Sequence, residues 1–234
     1  MRIATVGCSW TSGIKTEGPY DSWPRRLSQR HTGWHVSNFG FPGGSQGYIA
    51  HMLTRIRDGA FGDFDLVIAQ HTTVNREMFG LSRDIVYLWN DYCERKGKYH
   101  FWSNGKIHEN LFAINPMLVS QFGPDHPYWQ QHIDPAIREK SHQFANDYYD
   151  LLDQEMMFTR HVALVEYADR KSDISFFHRY DGISNTRCTQ IPCMKELLSA
   201  QDYKDFSVDE GEHFGRAGID WVTDWVENAI LQRT

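Results

Sequence analysis

The run Ile3-Ala4-Thr5-Val6 breaks off into Gly7-Cys8-Ser9-Trp10-Thr11-Ser12-Gly13, and this junction constrains the chain more than any other stretch. A short apolar run stopped by glycine reads as a buried strand, here over residues 2–7, and the residues after it are polar and bracketed by glycines. In a parallel sheet the carboxyl ends of the strands open into the crevice where ligands bind, so Ser9 falls where a nucleophile is useful. A plain strand-to-helix turn draws on the same residue types for backbone reasons.

The alternation then repeats. Asp21 or Ser22 caps a helix with Pro24 in its first turn, running to about Arg30, and 34–40 reads as a second strand broken by Gly40-Phe41-Pro42-Gly43-Gly44. A helix from about Ser45, with Ile49, Met52, Leu53 and Ile56 at helical spacing, ends near Gly59. A third strand comes next at Leu66–Ala69, with the polar run Gln70-His71-Thr72-Thr73 after it. Strand and helix in turn predict a parallel sheet with right-handed crossovers.

From about 76 to 140 the periodicity loosens, apart from a helix expected over Arg83–Lys96. A long irregular stretch inside a compact core is unusual, so this segment reads as an insertion. Its aromatic content, with Tyr99, Phe101, Trp102, Tyr128 and Trp129, suits a partial lid and equally a surface elaboration or a contact between copies in a homo-oligomer. Regular structure resumes with a helix over 141–171, whose Phe144, Tyr148, Leu151, Phe158, Val162 and Val165 share a face. A fourth strand is expected over 173–178, a turn at Asp181-Gly182, a short helix over 192–200 and a last helix over 217–231.

At 234 residues the chain accommodates one large domain with an insertion rather than two equal ones. A net charge of −6, from 24 basic and 30 acidic residues spread along the chain, argues against a phosphate-gripping surface for nucleic acid. The four cysteines, at 8, 93, 188 and 193, have no disulfide-framework spacing, and no apolar run reaches the roughly 18 residues of a membrane helix. The chain runs straight from Met1 into the first strand, leaving no room for a signal peptide, so a soluble cytoplasmic protein is expected. The histidines of the insertion match no metal-binding spacing, and no metal or other cofactor is assigned.

Near the C-terminus, Asp209-Glu210-Gly211-Glu212-His213-Phe214-Gly215 brings an imidazole and carboxylates to the loop before the last helix. Acyl transfer needs a hydroxyl nucleophile, an imidazole to take its proton, a carboxylate to hold the imidazole, and donors for the oxyanion. All four parts stand at places where a parallel sheet gathers its loops. His71, close to them, reads as a supporting or substrate-facing residue rather than a second base.

These stretches resemble the SGNH/GDSL hydrolase family. Gly7-Cys8-Ser9-Trp10-Thr11 is similar to its first block, normally Gly-Asp-Ser, with Ser9 in the place of the nucleophile. Asn38-Phe39-Gly40-Phe41-Pro42-Gly43 is similar to its second block, whose final glycine, here Gly43 with Gly44 beside it, gives a backbone N–H to the oxyanion. The stretch ending in His213 resembles the fifth block, in which an acid three positions earlier supports the histidine; that position is Glu210, with Asp209 one further back, and either carboxylate fits. The third block, normally Gly-x-Asn-Asp, departs: Asn75 comes one residue late, and the hydroxyls of Thr72 and Thr73 are alternative donors.

The resemblance spans nearly the whole chain and implies a three-layer α/β/α fold with a parallel, flavodoxin-like sheet. It implies a serine esterase acting through an acyl-Ser9 intermediate on a small-molecule or carbohydrate ester, O-acetyl groups on sugars being one expected class. Two alternatives stay open, an O-acyltransferase using the same site and a non-catalytic binding module with a degenerate oxyanion hole.

Overall fold

The computed structural model describes residues 1–13, 21–41, 44–72, 79–80, 111–112, 154–178, 190–209 and 213–233. Its centre is a four-stranded, all-parallel sheet in the order β2-β1-β3-β6, made of β1 (Arg2–Gly7), β2 (His35–Gly40), β3 (Leu66–His71) and β6 (Ile174–Phe177). Flavodoxin-like sheets begin in this order. β1 and β3 are buried almost end to end, as expected of parallel strands covered on both faces.

Alternation along the strands divides the core into two layers. Ile3, Ile68, Ile174 and Phe176 point to one face and pack against α2 (Trp23–Arg30) and α7 (Arg216–Leu231) through Trp23, Leu27, Val222, Val226 and Ile230. Ala4, Val6, Val67 and Ala69 point to the other, against Ile49, Met52, Leu53 and Ile56 of α3 (Gln46–Arg57) and Ala168 of α4 (Gln154–Lys171). The chain is therefore a three-layer α/β/α sandwich, with α2 and α3 on opposite faces. The chain changes face between β1 and β3, and that switch point is where an open α/β sheet forms its ligand crevice.

Local sequence explains the helix starts. Ser22 and Ser45 each accept a backbone N–H three residues on, from Arg25 and Tyr48, and Pro24 sits in the first turn of α2. Across the α2–α7 seam, Arg26 bonds Asp21 and Asp220, Arg30 reaches Asp224 and Glu227, and His31 meets Glu227. Such partly exposed pairs add little stability each, but together they align α7 along α2.

Three expectations change. β3 runs two residues beyond Ala69, because Gln70 and His71 are buried with hydrogen-bond partners rather than exposed in a loop. The short helix expected over 192–200 is split: α5 (Met194–Leu197) ends at an extended Leu198, and Ser199 then caps α6 (Ala200–Phe206). The loop expected before the last helix contains a hairpin, β7 (Ser207–Asp209) with β8 (His213–Phe214). Within 76–140 the described strands β4 (Phe79–Gly80) and β5 (Leu111–Phe112) pair antiparallel, while the helix expected over Arg83–Lys96, the start of the helix over 141–153 and the turn at Asp181-Gly182 lie outside the described residues. No described helix is long and apolar enough to cross a membrane.

Gly40 closes β2 directly against the turn after β1. A Cβ built there would stand 2.5 Å from the Ser12 nitrogen and 2.7 Å from the Thr11 carbonyl carbon, both backbone atoms, whereas one on Gly33 would meet nothing within 4 Å. Gly40→Ala is expected to cost on the order of 1–3 kcal/mol and to lower the Tm by roughly 3–10 °C, with Gly33→Ala near neutral, in a thermal unfolding comparison. Equal Tm values for the two variants would contradict this close approach.

Candidate active site

β1 ends at Gly7, Cys8 is still extended, and the chain then makes one helical turn, α1 (Ser9–Ser12), closed by Gly13 at φ 82° with its N–H on the Ser9 carbonyl. Gly7 is required for this turn, because a Cβ there would lie 2.0 Å from the Thr11 hydroxyl oxygen. The turn is bound to both neighbouring strands. Thr11 donates its hydroxyl to Oε1 of Gln70 at the end of β3, and the Trp23 indole donates to the same oxygen at 3.3 Å. On the other side Asn38 of β2 donates to the Thr11 carbonyl at 2.7 Å and accepts the Gly40 N–H at 2.8 Å.

This fixed turn brings Ser9 Oγ to 3.2 Å from Nε2 of His213, although the two residues are 204 positions apart. Both are buried, each 7 % exposed. The separation is within reach for a nucleophile and its general base. His213 stands on β8, immediately before α7. A register shift in the β7–β8 pair makes Asp209 its cross-strand partner, so the two backbones face each other directly. Glu210 lies outside the described residues.

Aromatic packing holds the imidazole from the side. The Trp10 indole lies nearly parallel to His213 at 5.3 Å and stacks on His178 at 3.2 Å between ring centroids, while Phe214 meets it edge-on. His178, just past β6, is itself fixed by the Tyr203 hydroxyl at 2.8 Å from Nε2. Trp10, His178 and Tyr203 were not among the expected site residues. The first comes directly after Ser9 and the second ends the fourth strand, so position at a carboxyl strand end was the available signal.

On the oxyanion side, the Ser9 and Trp10 amides open α1 and have no acceptor within the helix, the Cys8 carbonyl being taken by Thr11 and Ser12. Gly44 does not offer its amide, which donates to the Phe41 carbonyl at 2.8 Å; its contribution is space, since a Cβ would stand 2.9 Å from that carbonyl oxygen and 3.2 Å from the Gly7 oxygen. Gly43, Thr73 and Asn75 lie outside the described residues. Thr72 directly follows β3 and is buried, 4 % exposed. Its N–H donates to Oε1 of Gln46 at 3.3 Å.

Beside Thr72, on the α3–α4 face, sits a buried polar group that sequence reasoning recognised only in part. His71 is 1 % exposed, bonds Nε2 of Gln46 through Nδ1 at 2.9 Å and packs against Phe177. His161 of α4, also buried, is hydrogen-bonded to the Thr72 backbone. Its signal was a polar residue three positions from Phe158 and four from Val165, on the apolar stripe of the helix. Among the described residues no three His, Cys, Asp or Glu side chains converge as a metal ion requires.

The sequence matches no protein-family model and no curated protein.

Burial and the neighbouring His161 push His71 down to about 3; burial holds His161 at about 4, against its bond to the Thr72 backbone. In the unfolded chain both take up protons near the ordinary value of 6.5, so over this window the unfolded state binds more protons than the folded one. Stability is therefore expected to fall as pH drops from about 6.5 towards about 4, by up to about 1.4 kcal/mol per pH unit for each histidine. Urea unfolding at several pH values checks this, and His161→Gln should lessen the slope; an unchanged slope would contradict the assignment.

Proposed function

We propose that this protein is a serine hydrolase of the SGNH/GDSL kind, cleaving carboxylic esters through an acyl-Ser9 intermediate. The observation that carries the reading is the 3.2 Å approach of Ser9 Oγ to His213 Nε2, at the first turn of a helix over the carboxyl edge of the sheet. His213 takes the Ser9 proton as the hydroxyl attacks the ester carbonyl, then returns it to the leaving alcohol. It next takes a proton from water, which attacks the acyl-serine and releases the acid.

As charge collects on the carbonyl oxygen, the Ser9 amide, which has no acceptor within α1, supplies a donor. The family resemblance adds the Gly43 amide, with Asn75 or a threonine hydroxyl from Thr72 or Thr73 as the third donor. Asp209, the cross-strand partner of His213, is the carboxylate this reading assigns to orient the ring, ahead of Glu210. The Trp10 face stabilises the ring further once it carries a proton, as an indole does for a nearby cation. A small acyl group on a sugar remains the substrate class that the resemblance implies.

Turnover of p-nitrophenyl acetate tests the reading. The wild type is expected to hydrolyse it and both Ser9→Ala and His213→Ala to fall to background. Asp209→Asn should lose on the order of 1,000-fold or more, with Glu210→Gln close to wild type. The reverse order would assign the acid to Glu210. An inert wild type, or variants that match it, would overturn the esterase reading in favour of a binding module.

A further inference from the structure

Each of the two residues that carry the proposed chemistry is followed in the chain by an aromatic ring, Ser9 by Trp10 and His213 by Phe214, and these two rings meet edge to face at 4.8 Å. A histidine ring turns over a broad range of χ2, and a hydrogen bond at its tip does not fix the plane of the ring about that bond. At His213 the Trp10 indole fixes it. The two planes lie 12° apart with 5.3 Å between centroids, while Nε2 stands 3.2 Å from the Ser9 hydroxyl. The nucleophile and the wall beside the base thus come from adjacent residues of one helical turn.

The indole is held in turn by His178, which stacks on it with 3.2 Å between centroids and meets Phe214 edge-on at 4.9 Å. His178 therefore touches the chain neighbours of both the nucleophile and the base. It is buried, and the segment after it sets it from two sides. The Lys195 N–H donates to its carbonyl at 3.1 Å, and the Tyr203 hydroxyl lies 2.8 Å from its Nε2. α6, which carries Tyr203, runs directly into β7, and its Phe206 carbonyl accepts the Gly215 N–H at 2.7 Å, just past His213. One short helix joins the hairpin that bears the base to the ring that backs Trp10. Packing against Phe214, 5.5 Å away, asks only for an aromatic ring at position 203; the hydroxyl adds the bond that orients His178.

We propose that Tyr203 is a positioning residue for the general base: through its bond to His178 it holds the Trp10 indole along the His213 imidazole and so keeps Nε2 on the Ser9 hydroxyl. The inference rests on the acyl-transfer reading of Ser9 and His213. In that reading His213 moves a proton in both acylation and deacylation, so a loosened ring slows both steps together. The loss then falls on kcat and leaves KM in place.

Tyr203→Phe removes that hydroxyl and keeps the ring. With p-nitrophenyl acetate and rates taken per folded molecule, its kcat is expected to fall about tenfold, the worth of one hydrogen bond, at unchanged KM. Trp10→Ala should lose on the order of 100-fold, and Trp10→Phe, which restores an aromatic face, should recover most of it. Tyr167→Phe is the control for lost stability. It removes a tyrosine hydroxyl that lies 2.8 Å from the Thr54 hydroxyl between α3 and α4, and it should keep kcat. The ring plane is read separately from the carbon-bound protons of His213, whose resonances a parallel indole displaces. Tyr203→Phe is expected to move them towards those of an unstacked histidine, and Tyr167→Phe to leave them. An active wild type whose Tyr203→Phe variant keeps its kcat, loses only in KM, or leaves the His213 protons unmoved would overturn the proposal and leave the acyl-transfer reading standing. A wild type that neither turns over the ester nor takes a fluorophosphonate at Ser9 would overturn both.

Discussion

β1 has strands on both edges and helices on both faces, so at Gly7 the chain can leave only over the carboxyl edge of the sheet. Everything at the candidate site depends on that exit. Because Gly7 and Gly40 carry no side chains, the turn can fold back tightly onto the ends of β2 and β3. Thr11 then reaches Gln70 on one side and Asn38 reaches the turn on the other. The tie to Gln70 is buried, where a hydrogen bond is costly to break, and with the partly buried tie to Asn38 it holds the first turn of α1 at one angle. Ser9 inherits its position from them.

The edge carries two kinds of histidine with different chemistry. His71 and His161 pack on the α3–α4 side of the sheet, held far below the ordinary histidine range by burial, and one ring nitrogen of His71 is committed to Gln46. A ring that resists protonation to that degree is a poor general base near neutral pH. His213 stands on the opposite layer, on a short hairpin whose strand runs into α7, with an indole along its face and the Ser9 hydroxyl at its tip. Proton transfer in the proposed reaction therefore falls to His213 alone.

Much of the scaffold was legible from local chemistry. An apolar run ending in glycine marked β1, strand character broken by the Gly40-Phe41-Pro42-Gly43-Gly44 loop marked β2, and Ser22, Pro24 and Ser45 marked helix starts, because capping and burial act within a few residues. What was missed depends on partners distant in the chain. Gln70 and His71 look like loop residues until Thr11, Trp23 and Gln46 are seen to satisfy them inside the sheet. The Ser9–His213 pairing was readable from strand-end logic and from the resemblance together. The backbone pairing of Asp209 with His213 was not readable, because counting back from the histidine cannot reveal the register shift in that pair. Likewise Trp10, His178 and Tyr203 form a stack only once β1, β6 and α6 are brought to one edge.

The central claim is that Ser9 is an activated nucleophile rather than a turn residue. Reaction with a fluorophosphonate, followed by mapping of the modified peptide, measures that property without any knowledge of the natural substrate. The account predicts covalent label on Ser9, formed rapidly in the wild type and abolished or greatly slowed in His213→Ala. A folded protein that takes no label at Ser9, or takes it equally well without His213, would contradict it.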